Sequence, residues 1–380
     1  MADSRFHVLQ ICTSQAWGGM EMVAGLLSLS LRKRGHQVTV VACENSSMMD
    51  AVQGNDITML PVRAGGYFRF KNIKRIRQHI QSNPVNIIHS HYSKDLWQVV
   101  PAVTGYPSLP VLLTKHIGTQ KSKRDLLHRW IYNRVDRIIA ISEIIRKNVI
   151  NTHPIHPDRV VCIHNGVDLE KFNTERRKRG IIRKQLGIPD HAKVVGILGR
   201  LTWWKGFREF LDTASAVCET ENDVYFLVVG GETYGESEEA VQIRSYAEKL
   251  NLGHRLIFTG FREDAQDFLG AMDIFVYPAY AEAFGLVLIE AMAMSLPVVA
   301  SDCDGIPEIV EHGKTGILVP ARNSKPVTEA VLDLLSSKSR RIDYGKAGRK
   351  RAEQHFSLTR MIMKTEKLYY QLIETNKNDE

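Results

Sequence analysis

Two carboxylates, Glu282 and Glu290, bracket seven residues in "EAFGLVLIE" of which none is charged or strongly polar. If Ala283 to Leu296 form a helix, the neighbours of Glu290 three and four positions away are Leu286, Val287, Ala293 and Met294, all apolar. A helix with so little polarity around its circumference is expected to be buried. An ionised carboxylate removed from water costs several kcal/mol or changes its protonation unless something hydrogen-bonds it. Glu282 follows the strand-like "DIFVYPA" and is expected in a loop, with Phe284, Gly285 and Leu286 as early helix residues whose N–H groups lack partners. Such a mixture of acceptors and donors suits a polyhydroxyl ligand. Glu290 could accept hydrogen bonds from vicinal hydroxyls such as those of a ribose, or could meet an Arg or Lys inside the core.

Cations stand where a phosphate would need them. In "VVGILGRLTWWKG" Arg200 falls at a strand end and Lys205 in the loop before the next helix. Two fixed cations beside a helix N-terminus suit a diphosphate, above all a departing one whose charge grows; the alternative is a pair of solvated loop residues. Gly18 and Gly19 in "TSQAWGGMEMVAG" precede a helix expected from about Met20, where paired glycines let N–H groups approach a phosphate or simply turn the chain. The spacing is not G-x-G-x-x-G and no G-x-x-x-x-G-K-[ST] occurs, which argues against a dinucleotide cofactor or a P-loop nucleotide. His89 and His91 share one strand face, and His116 ends another strand where it could hydrogen-bond a polar substrate or be a satisfied edge histidine. No carboxylate or cysteine lies near them at ligand spacing. Asp302 and Asp304 in "SDCDGIPEIV" form a D-x-D, but in a strand-to-helix turn where Asp is favoured for capping alone. A metal is not expected.

These residues need elements to hold them. Short apolar runs alternate with helical stretches over nearly the whole chain, seven strand-like runs from "FHVLQIC" to "RVVCIHNG" and six from "VVGILGR" to "TGILVP". That alternation is the pattern of parallel sheets covered by helices, an α/β class. The 380 residues allow two to three domains. "HNGVDLEKFNTERRKRG" breaks the rhythm, placing a linker near 167–180. Two Rossmann-like doubly wound domains would face each other across a cleft at their strand ends. After Pro320 the chain reads as helix, with "TNKNDE" as a frayed tail.

Five scattered cysteines without zinc or redox spacing, no signal-peptide pattern and no run near ~20 apolar residues point to a cytoplasmic protein. Residues 1–168 carry 21 Lys+Arg against 11 Asp+Glu, or +10, and the remainder 29 against 31, or −2. The excess gathers in "RFKNIKRIRQHI" and "KSKRDLLHRWIYNRVDRII". These basic amphipathic patterns fit an anionic partner such as a phospholipid surface, or a solvated helix face. No nucleic-acid motif accompanies them, so nucleic acid is not expected.

Taken together, the Gly-Gly turn, "GRLTWWKG" and "YPAYAEAFGLVLIEAMAMSLPVVASDCDGIPEIVEHGKTGILVP" closely resemble glycosyltransferase family 4, the retaining, nucleotide-sugar-dependent enzymes of GT-B fold. The resemblance implies an acceptor-binding Rossmann-like domain over 1–168, a donor-binding one over 169–355, and a C-terminal helix and tail over 356–380 crossing back to the first. It implies that Arg200 and Lys205 hold the donor diphosphate and stabilise the leaving nucleotide. Glu282 with the N–H groups of Phe284, Gly285 and Leu286 would hold the hexose, and Glu290 the ribose. Gly18 and Gly19 would approach the phosphate, His116 the sugar near its reacting carbon, and the backbone at Arg262 in "TGFRED" the base.

Activity as a metal-independent hexosyltransferase without a cofactor is implied. The donor would be a UDP-, GDP- or ADP-linked sugar, and a front-face reaction would retain configuration. A glycan or lipid-linked acceptor of cell-surface polysaccharide or lipopolysaccharide synthesis follows from family habit and from the basic first domain. Peripheral contact with the inner face of an anionic cytoplasmic membrane goes with it. One departure is Asp304, where many members have the first of two glycines. The rival readings are a nucleotide-sugar 2-epimerase on the same fold and a non-catalytic sugar-nucleotide binding module.

Overall fold

The computed structural model describes residues 5–378 except 65, 177 and 233–236. The chain forms two compact units, one running to Asn165 and taking up the chain again from Met361, the other spanning Gly166–Arg360. The first holds seven parallel strands: β1 (His7–Cys12), β2 (Gln37–Cys43), β3 (Thr58–Val62), β4 (Ile87–Ser90), β5 (Val111–Lys115), β6 (Arg137–Ala140) and β7 (Val160–Cys162). The second holds six: β8 (Lys193–Leu198), β9 (Val224–Val229), β10 (Leu256–Phe258), β11 (Ile274–Tyr277), β12 (Val298–Ser301) and β13 (Gly316–Val319). Every strand-like run of the sequence contains a strand, most of them shorter than the run.

Strand order is β3-β2-β1-β4-β5-β6-β7 in the first sheet and β10-β9-β8-β11-β12-β13 in the second. Each sheet therefore reverses its winding once, between β1 and β4 and between β8 and β11. At such a switch point the loops leaving the C-terminal strand ends diverge and open a crevice. β1, β2, β4 and β5 are buried almost throughout, as are β9, β11 and β12, which is why their sequences run apolar without alternation. In the second unit Phe207, Phe210 and Phe226 sit fully buried between the sheet and the Phe207–Thr220 helix. Each such side chain contributes about 1.5–3 kcal/mol by leaving water.

The helix expected over 283–296 is shorter, Leu286–Ala293. Gly285 precedes it at φ 99 and Ser295 follows it at φ 56, and left-handed backbone ends an α-helix on either side. Phe284 and Gly285 are thus loop residues. The Gly19–Lys33 helix begins one residue earlier than expected, with Gly18 as its extended cap. The last helix runs Leu358–Asn378, so the expected frayed tail is helical as far as Asn378, and 379–380 lie outside the described residues. The two segments that join the units are paired within the second: Val167 N–H donates to Phe356 O at 2.8 Å and Leu358 N–H to Val167 O at 2.9 Å. Gly166 permits this approach, since a Cβ there would lie 2.6 Å from Leu358 Cα.

From Met361 the last helix completes the first unit. Tyr369 is fully buried, and its hydroxyl accepts from Gln10 Nε2 at 3.0 Å and meets His89 Nδ1 at 2.5 Å. Glu366 accepts from Arg34 Nη2 at 2.7 Å and pairs with His36 Nε2 at 2.7 Å.

Candidate active site

In the second unit the loops after β8 and β11, the two strands at the switch point, bring Lys205 and Glu282 together. Lys205 Nζ lies 2.7 Å from Glu282 Oε2, and the Tyr277 hydroxyl donates to the same oxygen at 2.5 Å. Glu282 Oε1 accepts from Phe284 N–H at 3.4 Å. Lys205 Nζ also lies 5.5 Å from the centre of the Tyr277 ring. Burial alone would raise the Glu282 carboxyl, but the Lys205 charge and these hydrogen bonds outweigh it and hold the group below the ordinary carboxylate range. The phenol of Tyr277 is pushed well up by burial and by the neighbouring carboxylate, so it stays a donor.

Backbone geometry fixes this pair. After the turn Trp203–Lys205, Gly206 adopts φ 77, and a Cβ there would stand 2.0 Å from Pro278 O, so the β8 loop packs on the chain leaving β11 as only glycine allows. Trp204 O accepts from Tyr280 N–H at 2.9 Å. On the other side Gly305 N–H donates to Glu282 O at 2.9 Å, and Asp304 Oδ2 accepts from Glu282 N–H at 3.1 Å. Asp304, the departure from the family pattern, takes φ 45, a left-handed conformation that glycine adopts freely. Its carboxylate supplies a cap on Glu282 in return.

Arg200 is exposed beyond β8, at the same sheet end. Glu290 lies on the Leu286–Ala293 helix with part of its surface open to solvent. No side chain or backbone N–H among the described residues hydrogen-bonds its carboxyl, which burial raises to about 7 against a smaller opposing pull from Lys171. The expected alternative, an Arg or Lys held against it in the core, is absent among the described residues. Arg262 turns its side chain on itself: Nε and Nη2 bind Asp264 at 2.9 and 2.8 Å, and the guanidinium covers the Phe268 ring at 4.6 Å.

Gly18, Gly19 and His116 belong to the first unit. Gly18 N–H donates to Glu21 Oε2 at 3.0 Å, so a carboxylate already occupies one of the donors offered to a phosphate. Gly19 opens the helix that follows β1. His116 is the first residue past β5, a strand flanked by β4 and β6 and therefore not an edge. Its Nε2 lies 3.4 Å from His91 Nδ1, and His91 Nε2 contacts Gln10 Oε1 at 2.8 Å. Burial, then the Lys115 charge, lowers His116 to about 3, and burial with a like-charge neighbour does the same to His89, so both rings are neutral. Among the described residues no cluster of His, Cys, Asp and Glu is arranged to hold a metal ion.

Two further polar side chains stand at strand ends without a motif to mark them. Tyr277 ends the strand-like "DIFVYPA", and its ring is buried with the strand while its polar tip reaches Glu282. Lys115 is 9% exposed in β5, its ammonium held by Ser93 Oγ at 3.1 Å and lowered to about 8 by burial and by Lys123.

Residues 178–351 match the family model for glycosyl transferases group 1, and residues 17–171 match that for Glycosyltransferase Family 4. The chain belongs to glycosyltransferase family 4. The first match contains Arg200, Lys205, Arg262, Glu282 and Glu290, the second Gly18, Gly19 and His116, and the chain is a glycosyltransferase. A D-inositol 3-phosphate glycosyltransferase of Corynebacterium aurimucosum is 28% identical over 330 residues, 82% of this chain and 76% of that protein. The fold is GT-B, with Rossmann-like units. A glycosyltransferase from Rickettsia africae superposes with a TM-score of 0.87 at 21% identity over 97% of this chain and 99% of that one. Anabaena Alr3699/HepE in complex with UDP-glucose does so at 0.81 and 21% over 98% of this chain and 100% of that one.

Proposed function

We propose that this glycosyltransferase moves a hexose from a nucleoside-diphosphate sugar to a hydroxyl of a glycan or lipid-linked acceptor, retaining the anomeric configuration and needing no metal ion. The observation that carries the reading is the pairing of Lys205 with Glu282 at the β8/β11 switch point while the Glu290 carboxyl, eight residues further on, has no hydrogen-bond partner among the described residues. A nucleotide sugar offers matching groups in the matching order: sugar hydroxyls for Glu282, a diphosphate for Arg200 and Lys205, and a ribose diol for Glu290.

In the reaction the acceptor oxygen forms a bond to the anomeric carbon from the face the leaving group departs. The bond from that carbon to the phosphate oxygen breaks, and the acceptor proton passes to the departing phosphate. Arg200 and Lys205 offset the charge that grows there. Glu282 and the N–H groups at Gly285 and Leu286 hold the hexose in line, and neutral His116 hydrogen-bonds it without donating a full charge. Gly18 and Gly19 contact the diphosphate, and backbone at Arg262 the base. Because HepE is known with UDP and UDP-glucose, UDP sugars are the first donors to try. Surface polysaccharide or lipopolysaccharide synthesis at the inner face of the cytoplasmic membrane is the setting that suits such an acceptor.

A thermal-shift series with UDP, GDP, ADP and their sugars tests the donor, since only a ligand that prefers the folded state raises the melting point. With the stabilising donor and a mixture of glycan and lipid acceptors, nucleoside diphosphate should accumulate with product. Conversion of the donor into an epimeric nucleotide sugar without nucleotide release would overturn the assignment in favour of an epimerase.

A further inference from the structure

At the far edge of the second sheet, where its strands begin, lies a cavity of about 340 Å³. β8 starts on it at Lys193, and Met272–Asp273 and Leu296–Pro297 lead from it into β11 and β12. Four cations line it, Arg179, Lys193, Lys338 and Arg341, against one carboxylate, Asp273. That carboxylate is already engaged: Oδ1 accepts from Arg179 Nη2 at 2.7 Å, and Oδ2 from the buried Arg183 Nη2 at 2.7 Å and from Val194 N–H at 2.8 Å. Arg341 Nη1 donates to the carbonyls of Leu334 and Leu335, which satisfy its hydrogen bonds but bring no counter-ion. Lys193 and Lys338 form no ion pair among the described residues.

The walls are fixed by close packing. A Cβ at Gly345 would stand 2.2 Å from Ser295 O, so the Lys338–His355 helix presses on the turn that closes the Leu286–Ala293 helix. Met272 and Leu296 are buried and apolar, and Ile342 stands 44% exposed beside them. Cations gathered around a concavity raise its potential, and Lys338 opens a helix whose positive end adds to it. We infer that this cavity is a second ligand site, which takes a small sugar phosphate. Lys193, Lys338 and Arg341 meet the phosphate oxygens, and Met272, Leu296 and Ile342 meet the carbon skeleton. A metal cation is excluded by the sign of the charge. Substrates of parallel α/β sheets sit beyond the carboxyl ends of the strands, where Lys205 and Glu282 stand, so an occupant of the opposite edge is an effector rather than donor or acceptor. The turn at Ser295–Pro297 follows directly on the helix that carries Glu290, which gives the occupant a contact with the far end of that helix.

The test is calorimetric titration of the full chain with glucose 6-phosphate, with glucose and with inorganic phosphate, each with and without saturating UDP. Glucose 6-phosphate should bind saturably in both conditions, inorganic phosphate more weakly, and glucose not at all. Lys193→Glu with Lys338→Glu should weaken the ester about tenfold or more, the range for losing hydrogen bonds to a charged group. Lys193→Met with Lys338→Met, which removes the charges without reversing them, should weaken it by a smaller factor. Lys325→Glu with Lys346→Glu, on exposed positions of the same unit, makes the same change of net charge and should leave affinity unchanged. UDP-induced stabilisation, measured without the ester, reads the donor site separately and should be the same in every variant. Absence of saturable binding by the wild type would overturn the inference. So would binding that UDP abolishes, which belongs to the donor site, or binding that both Lys193/Lys338 double variants leave intact. Inorganic phosphate bound as tightly as the ester would overturn the assignment of a sugar.

Discussion

Lys205 and Glu290 present opposite problems for a charged side chain. Lys205 has its counter-ion, so in the proposed reaction a donor diphosphate would share an ammonium already 2.7 Å from Glu282, and the pair would act as one unit toward sugar and leaving group. Lys205→Ala should lower kcat under saturating donor by about 10²–10³, the range for removing one preorganised charge donor. Near-normal turnover by rapid-quench assay would remove it from the mechanism. Among the described residues Glu290 has no such ion-pair partner, only the weaker pull of Lys171. Its carboxyl is raised by burial to about 7, against an ordinary glutamate near 4.5, so between those values the unfolded chain has released a proton that the folded chain keeps. Stability falls as pH rises through that window, by on the order of 3 kcal/mol. Glu290→Gln should therefore match the wild type near pH 5 and melt higher than it near pH 8. Nucleotide affinity should run the other way: the ionised carboxylate is the better acceptor for two hydroxyls, so wild-type affinity rises to a plateau above about pH 7 while the glutamine variant stays flat and weak. Calorimetric titration with UDP across pH checks both signs.

At the scale of elements, the sequence carried the strands and lost the turns. Runs such as Val224–Val229 and Val298–Ser301 are apolar without alternation because helices cover both faces of a parallel sheet, and that pattern survives in one dimension. The bounds of the Leu286–Ala293 helix did not survive, since nothing in "AFGL" states that Gly285 is left-handed. Glu282 and Glu290 were legible from their apolar spacing. Their different states were not, because Lys205 reaches Glu282 only through the adjacency of β8 and β11, strands separated in sequence by β9 and β10. Asp304 shows the same limit: a left-handed Asp that caps Glu282 reads, as letters, like half of a metal motif. Its cost and its cap can be separated. Asp304→Ala keeps φ 45 and loses the hydrogen bond, so it should destabilise by about 1 kcal/mol or more, whereas Asp304→Gly relieves the backbone and should be close to neutral by denaturant melts. Gly206→Ala should be worse than either, since φ 77 and the contact with Pro278 O act together.

For the whole molecule, the chain order and the compact units disagree in one place: the last helix belongs to the unit that the chain left at Asn165. Tyr369 fills the first unit's core and joins Gln10 and His89 through its hydroxyl, while Glu366 gathers Arg34 and His36. His89 and Gln10 are in turn linked to the His91–His116 pair, through the His89 and His91 rings, tilted with centres 4.2 Å apart, and the Gln10 contact with His91. A tail remote in sequence therefore supports His116, the histidine proposed to meet the donor sugar. Tyr369→Phe removes one hydroxyl and leaves two buried polar partners short of a bond, which costs about 1–3 kcal/mol. That loss should fall on one unit alone. Scanning calorimetry of the intact chain is expected to resolve two transitions, as separate cores permit. Tyr369→Phe should lower one of them by several degrees, and UDP should raise the other. A single transition shifted by both would mean that the two units unfold as one body, and that the helix holds the whole chain together rather than its own half.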